Sequence, residues 1–142
     1  MFRRKEVEEA IKIPARRIQF YSDSGLLRLK EANPGRGRER QYSPQNVLEL
    51  LVIKELGKHK IELSEIQRIM TKLSGEIDKI LRDPSGYFIY IYGNGDVTYG
   101  SERQRNSVTV DMRNHSSVTI INFNNLAIEG LEALGRITKE RQ

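Results

Sequence analysis

The sequence predicts an α+β protein, mostly helical through residue 82, mostly strand over the next 40 residues or so, and closed by an amphipathic helix. Three observations carry that division. Apolar residues recur three and four apart through residues 7–80, the spacing of a helix with one buried face. YFIYIY, DVTYG, SVTVDMR and SVTIINF then gather β-branched and aromatic residues between turn residues, as half-buried strands do. Leu126, Ile128, Leu131, Leu134 and Ile137 finally return to helical spacing. A chain of 142 residues suits one ordinary domain or two small units sharing a core, here divided as 1–82 and 83–142.

The elements follow in order. Val7, Ala10 and Ile11 mark a first helix from about Arg4 to Ile11. Pro14 opens a second, since proline suits a first turn where its missing N–H costs nothing, and Gly25 ends it. Ile18 and Tyr21 face the core, while Arg16, Arg17, Gln19 and Phe20 are left outside. Two short helices around a three-residue break make a helix-turn-helix candidate. Residues 28–42, RLKEANPGRGRERQY, turn at Asn33, Pro34, Gly35 and Gly37, with flanks suited to a hairpin and a basic tip: a wing. Ser43-Pro44 caps a third helix, VLELLVIKEL, stopped by Gly57. A fourth runs from Leu63 to about Arg82 with a break at Ser74-Gly75. Asn94-Gly95 and Asn114-His115 are hairpin turns, and Val-Thr pairs at 97, 108 and 118 give a ten-residue period that fits a small antiparallel β-meander. The last helix carries Gly130 and Gly135 and needs a packing partner.

Composition narrows the chemistry. There is no cysteine, which excludes disulfides, thiolate catalysis and Cys-ligated zinc. No apolar run approaches the roughly 20 residues of a membrane helix, so a cytoplasmic protein with no membrane partner is expected. The net charge is +5, and its distribution is uneven: Lys and Arg outnumber Asp and Glu by 11 to 6 in residues 1–42 but fall to 6 against 7 in residues 83–142. A basic N-terminal segment suits a local polyanion site; the plainer alternative is a solvated basic face.

The residues that remain suggest neither a catalyst nor a cofactor site. His59 and His115 have no companion ligands nearby in sequence, so no metal is expected. Asp96, Glu102 and Asp111 read as surface acids beside strands, and Gly93-x-Gly95 as a turn without the lysine and helix of a phosphate cradle. Tyr87, Tyr90, Tyr92 and Tyr99 form either a base-stacking platform or, more in keeping with strands, half-buried sheet residues. Glu102, Arg103, Gln104 and Arg105 read as a solvated loop.

The front half resembles the MerR-type winged helix-turn-helix transcription regulators. Val7, Ala10, Ile11, Ile13, Arg16, Ile18, Phe20, Tyr21, Gly25, Leu26 and Leu27 fall where that family carries apolar, basic, aromatic and glycine residues. The likeness resumes at Arg40-x-Tyr42-Ser43, Leu56-Gly57 and Leu63-Ser64-Glu65-Ile66. It implies a homodimer on double-stranded DNA, second helices in consecutive major grooves and wings on flanking phosphates. By position, Arg16 and Arg17 meet bases or phosphates, Phe20 and Tyr21 lie near the backbone, and Arg40 contacts phosphate; the resulting expectation is that Arg16, Arg17 and Gln19 read the site while Arg36, Arg38, Arg40 and Tyr42 clamp its backbone. Arginine suits the task, since its planar fork grips phosphate or guanine bidentately. Pro14 stands where the family has Ser or Thr, Lys12 where glycine is common, Gln19 for arginine and Phe20 for tyrosine.

The expectation is therefore a sequence-specific, nucleoid-associated regulator of transcription, reading a pseudo-palindrome and bending or untwisting it. Residues 83–142 would serve dimerisation or higher assembly, or dock a protein such as RNA polymerase. The alternative is an architectural, excisionase-like or chromosome-anchoring protein that uses the same winged helix.

Overall fold

The computed structural model describes residues 1–82, 87–93, 97–101 and 116–141. A two-residue strand β1 (Phe2–Arg3) precedes α1 (Arg4–Ile11) and α2 (Ala15–Asp23). Val7 and Ile11 of α1 and Ile18 of α2 are buried, as their spacing requires. The turn between these helices is made by Lys12, at φ 56° and ψ 45°, whose N–H reaches the Glu8 carbonyl at 2.9 Å. A β-carbon in that left-handed region costs about 1–2 kcal/mol, so lysine in glycine's usual place is strained. Pro14 stands just ahead of α2 rather than in its first turn, and its carbonyl accepts from the N–H groups of Arg17 and Ile18 at 2.9 and 3.1 Å. Beyond α2, Gly25 takes φ +77° and returns Leu26 and Leu27 to the core.

The wing departs from the expected hairpin. β2 (Gln41–Tyr42) pairs antiparallel with β1, Phe2 opposite Tyr42 and Arg3 opposite Gln41, so the N-terminus takes the place of the outgoing wing flank. Turn residues fix where a loop bends but not which strand receives its return.

α3 (Pro44–Lys58) is the centre of the molecule. Its first turn is closed reciprocally: Asn46 N–H donates to Ser43 Oγ at 3.2 Å, and Ser43 N–H donates to Asn46 Oδ1 at 2.9 Å. Val47, Leu48, Leu50, Leu51, Val52, Ile53 and Leu56 are buried on every side, the pattern of an enclosed helix. Gly57 does not stop it; the helix runs on to Lys58, and the turn is made by Lys60 at φ 58°. α4 (Leu63–Leu73) buries Ile66, Ile69, Met70 and Leu73 along one stripe, and α5 (Ile77–Arg82) follows the break expected at Ser74-Gly75.

The second sheet holds β3 (Tyr87–Tyr92), β4 (Val97–Ser101) and β5 (Val118–Asn122), all antiparallel, in the order β4-β3-β5. The pairing of β3 with β4 agrees with a hairpin at Asn94-Gly95, although those two turn residues lie outside the described ones. A simple meander would separate β5 from β3. Instead Ile121 lies opposite Ile89 and Ile120 opposite Tyr90, because β5 completes the face that Ile89 and Ile91 present to the core. The strand expected near Val108-Thr109, the Asn114-His115 turn and the loop from Glu102 to Arg105 lie outside the described residues, as do Asp96 and Asp111.

α6 (Phe123–Arg141) leaves β5 directly and packs on α3 and α1. A β-carbon at Gly130 would stand 3.3 Å from Leu51 Cδ1, so this glycine, unfavourable for helix formation, lets α6 approach α3 closely. Arg136 donates to the Ala10 carbonyl at 3.1 Å. Arg141 grips the Glu6 carboxylate through Nε and a terminal nitrogen at 2.7 and 2.6 Å, reaches the Met1 carbonyl at 3.1 Å, and lies 5.1 Å above the Phe2 ring. That guanidinium, assisted by the Arg3 N–H, lowers the Glu6 pKa to about 2. One buried cluster extends from Phe2 to Ile137 across residue 82.

Candidate nucleic-acid interface

α2 presents its outward face because its inward face is locked twice. Ile18 is fully buried, and Ser22, also buried, donates to the Ile18 carbonyl at 2.7 Å while its Oγ lies 3.0 Å from the Tyr42 hydroxyl. A 3.6-residue period then leaves Arg16, Arg17, Gln19 and Phe20 exposed on the opposite side, as the sequence indicates. The guanidinium groups of Arg16 and Arg17 have no hydrogen-bonding or ionic partner among the described residues. Phe20 is 49% exposed and meets Tyr21 edge-on at 5.9 Å, while Tyr21 is itself half-buried against the core.

The wing's arginines divide. Arg36 is exposed and unpartnered among the described residues. Arg38 meets Glu31 at 3.3 Å, but both side chains are more than half exposed, so water and salt compete and a phosphate can displace the carboxylate. Arg40 is committed: Nε donates to the Ala32 carbonyl at 2.7 Å and a terminal nitrogen meets Asp23 at 2.6 Å, leaving the side chain 21% exposed. It ties the wing to the end of α2 rather than lying open to a phosphate.

Tyr42 requires a firmer correction. It is 1% exposed, its ring in the core and its hydroxyl on Ser22, so it supports α2 from beneath and does not clamp backbone. A two-residue strand is too short for alternation to show which face is buried.

Two clefts flank α2. One, of about 580 Å³, is lined by Arg4, Lys5, Gln19, Arg38 and Arg40 among others; its mate, of about 660 Å³, includes Arg17, Phe20, Lys54, Lys58 and Leu63. The run Arg3-Arg4-Lys5 and the Lys58-His59-Lys60 turn were the sequence signals for these additional cations. Lys54 is partly engaged, donating to the Ile11 carbonyl at 3.1 Å, and Lys58 meets Glu55 at 3.3 Å at the surface. The result is a convex helix bearing two unpaired arginines between basic-edged hollows, a shape that can enter a groove and meet phosphates on both sides.

Elsewhere the chemistry is spare. Among the described residues no group of three or more His, Asp or Glu is placed to hold a metal ion, and His59 faces Glu55 at 3.7 Å. No described helix is long and apolar enough to cross a membrane. Tyr90 and Tyr92 are buried and offer no stacking platform.

A family model described as MerR HTH family regulatory protein matches residues 2–73, just over half of the chain. No curated protein matches the sequence.

Proposed function

The chain belongs to the MerR HTH regulatory family and is a DNA-binding transcriptional regulator; from that premise we propose that it acts as a homodimer on a pseudo-palindromic duplex site and bends or untwists it. The observation that carries this reading is the pair Arg16 and Arg17, held free of partners on a helix whose other face is fixed by Ile18 and Ser22. Arg16, Arg17 and Gln19 supply base and phosphate contacts within the major groove. Arg36 and Arg38 reach the flanking backbone, with Phe20 packed against the sugar edge.

A second protomer is needed to read two half-sites one helical turn apart. Ile128 and Leu131 of α6, 42% and 48% exposed and three residues apart, support that pairing, since large apolar side chains on one helix face lose unfavourable hydration when a partner covers them. Such a regulator works in the cytoplasm, at the nucleoid.

Selection of bound duplexes from random DNA, combined with light scattering, tests the proposal. An inverted repeat bound by a particle of twice 16.4 kDa is expected. A single asymmetric site bound by a monomer would contradict it.

A further inference from the structure

The wing leaves the core at Arg28 and returns at Ser43, and both ends converge on one fully buried side chain, Asn46. Its carbonyl oxygen accepts the Ser43 N–H at 2.9 Å, and its amide nitrogen donates to the Arg28 carbonyl at 3.1 Å. The same nitrogen donates to Glu49 Oε1 at 2.8 Å, and the Glu49 carboxylate, 2% exposed, accepts the Arg28 N–H at 3.2 and 3.3 Å. Arg28 thus has both backbone polar groups satisfied by two side chains of α3. Burial pushes the Glu49 carboxyl pKa up; the Asn46 amide and the Arg28 N–H oppose that shift. A buried carboxylate held by two neutral donors, with the Arg28 charge and the opposing Asp78 charge as lesser influences, is costly to keep, which points to a role beyond filling space.

We propose that Asn46 and Glu49 are positioning residues that clasp the neck of the wing and thereby aim Arg36 and Arg38 at the DNA backbone. The clasp acts through geometry alone, since neither side chain reaches the surface. It adds to the wing's second tie, Arg40 on Asp23 and Ala32, which holds the far side to α2. With the neck opened, the arginines keep their charge but lose their fixed distance from α2. The part of this proposal that concerns DNA rests on the DNA-binding reading above.

Asn46→Asp separates the clasp from helix capping. The aspartate keeps an oxygen for the Ser43 N–H, and a negative charge near the start of α3 is favourable. It loses both N–H donations and sets a second carboxylate against Glu49. The variant is expected to bind the selected duplex at least tenfold more weakly, with the slope of log K against log salt shallower by about four, the contribution of two phosphate contacts from each protomer of the dimer. Tryptic cleavage after Arg36 and Arg38 in the free protein should quicken several-fold. Glu49→Met keeps the length of the side chain, removes the acceptor of both the Asn46 amide and the Arg28 N–H, and is read identically should Asn46→Asp fail to fold. Unchanged wing cleavage, or weaker binding at an unchanged salt slope, would overturn the clasp. Failure of the wild-type protein to bind any duplex would instead overturn the DNA-binding reading, while faster wing cleavage would still uphold the clasp.

Discussion

Helix α2 and the wing each carry exposed arginines, yet they are fixed by different physics. α2 is held by burial: Ile18 beneath it contacts core side chains, and Ser22 bonds Tyr42 in a site closed to water. The wing is held by polar ties at its neck and flank, through Asn46, Glu49 and Arg40, with Leu29 as its partly buried apolar anchor. A helix fixed by packing keeps its side chains in register at any salt concentration. A loop held by buried bonds at its neck but by partly exposed ion pairs along its flank, Arg38 with Glu31 and Arg40 with Asp23, is adjustable and salt-sensitive beyond the neck. On the proposed function that difference would separate a reading element from a backbone clamp, and it predicts where substitutions act.

The largest effect falls where the two regions meet. Tyr42→Ala empties a core site beneath α2 and should cost about 3–5 kcal/mol by urea unfolding. Tyr42→Phe, which removes only the hydroxyl, should cost about 1 kcal/mol and leave DNA affinity unchanged. A loss of affinity with full stability in Tyr42→Phe would return that residue to the interface. Next, Arg40→Ala should lower stability by up to about 1 kcal/mol, because it removes an ion pair and a hydrogen bond whose partners, Asp23 and the Ala32 carbonyl, stay open to water. Arg36→Ala should leave stability alone and flatten the salt dependence by about two counterions, one for each protomer. Equal behaviour of the two would erase the division drawn between the wing's arginines.

Lys12→Gly tests the entry to α2. Removing a β-carbon from φ 56° should raise stability by up to about 1 kcal/mol, read as a higher midpoint of denaturation. The smallest effect concerns Arg141, which holds Glu6 on α1 and arches over Phe2 of β1. The Glu6 carboxyl falls from an ordinary 4.5 to about 2 on folding, so its contribution is complete above about pH 4.5 and disappears as pH falls through 2. Arg141→Ala should remove that acid-side loss from the stability profile, and an unchanged profile would show the pair to be idle.

Much of this architecture is written locally in the chain. Helical spacing places α1, α2 and α4, the Ser43-Pro44 pair places α3, and glycine after Ser24 ends α2. What local pattern does not carry is the choice of distant partners. Nothing near Tyr42 announces that Phe2 will pair with it, and nothing in the wing announces that Arg40 will turn to Asp23 while Arg38, two residues earlier, stays open. The sheet order has the same origin: the ten-residue period suggests strands but not that β5 will close on β3. Gly130, which reads as a weakness in a helix, is instead the place where α6 must approach Leu51. The exposed face of α2 was legible because amphipathicity is a local property.

The most direct measurement is fluorescence anisotropy of the wild-type protein and of Arg16→Ala and Arg17→Ala on a selected duplex and on a scrambled one. At least one of the two substitutions should weaken binding to the selected duplex by about 1–3 kcal/mol and narrow the gap between the two sequences, with unfolding unchanged. Wild-type affinity and wild-type discrimination in both variants would contradict the account.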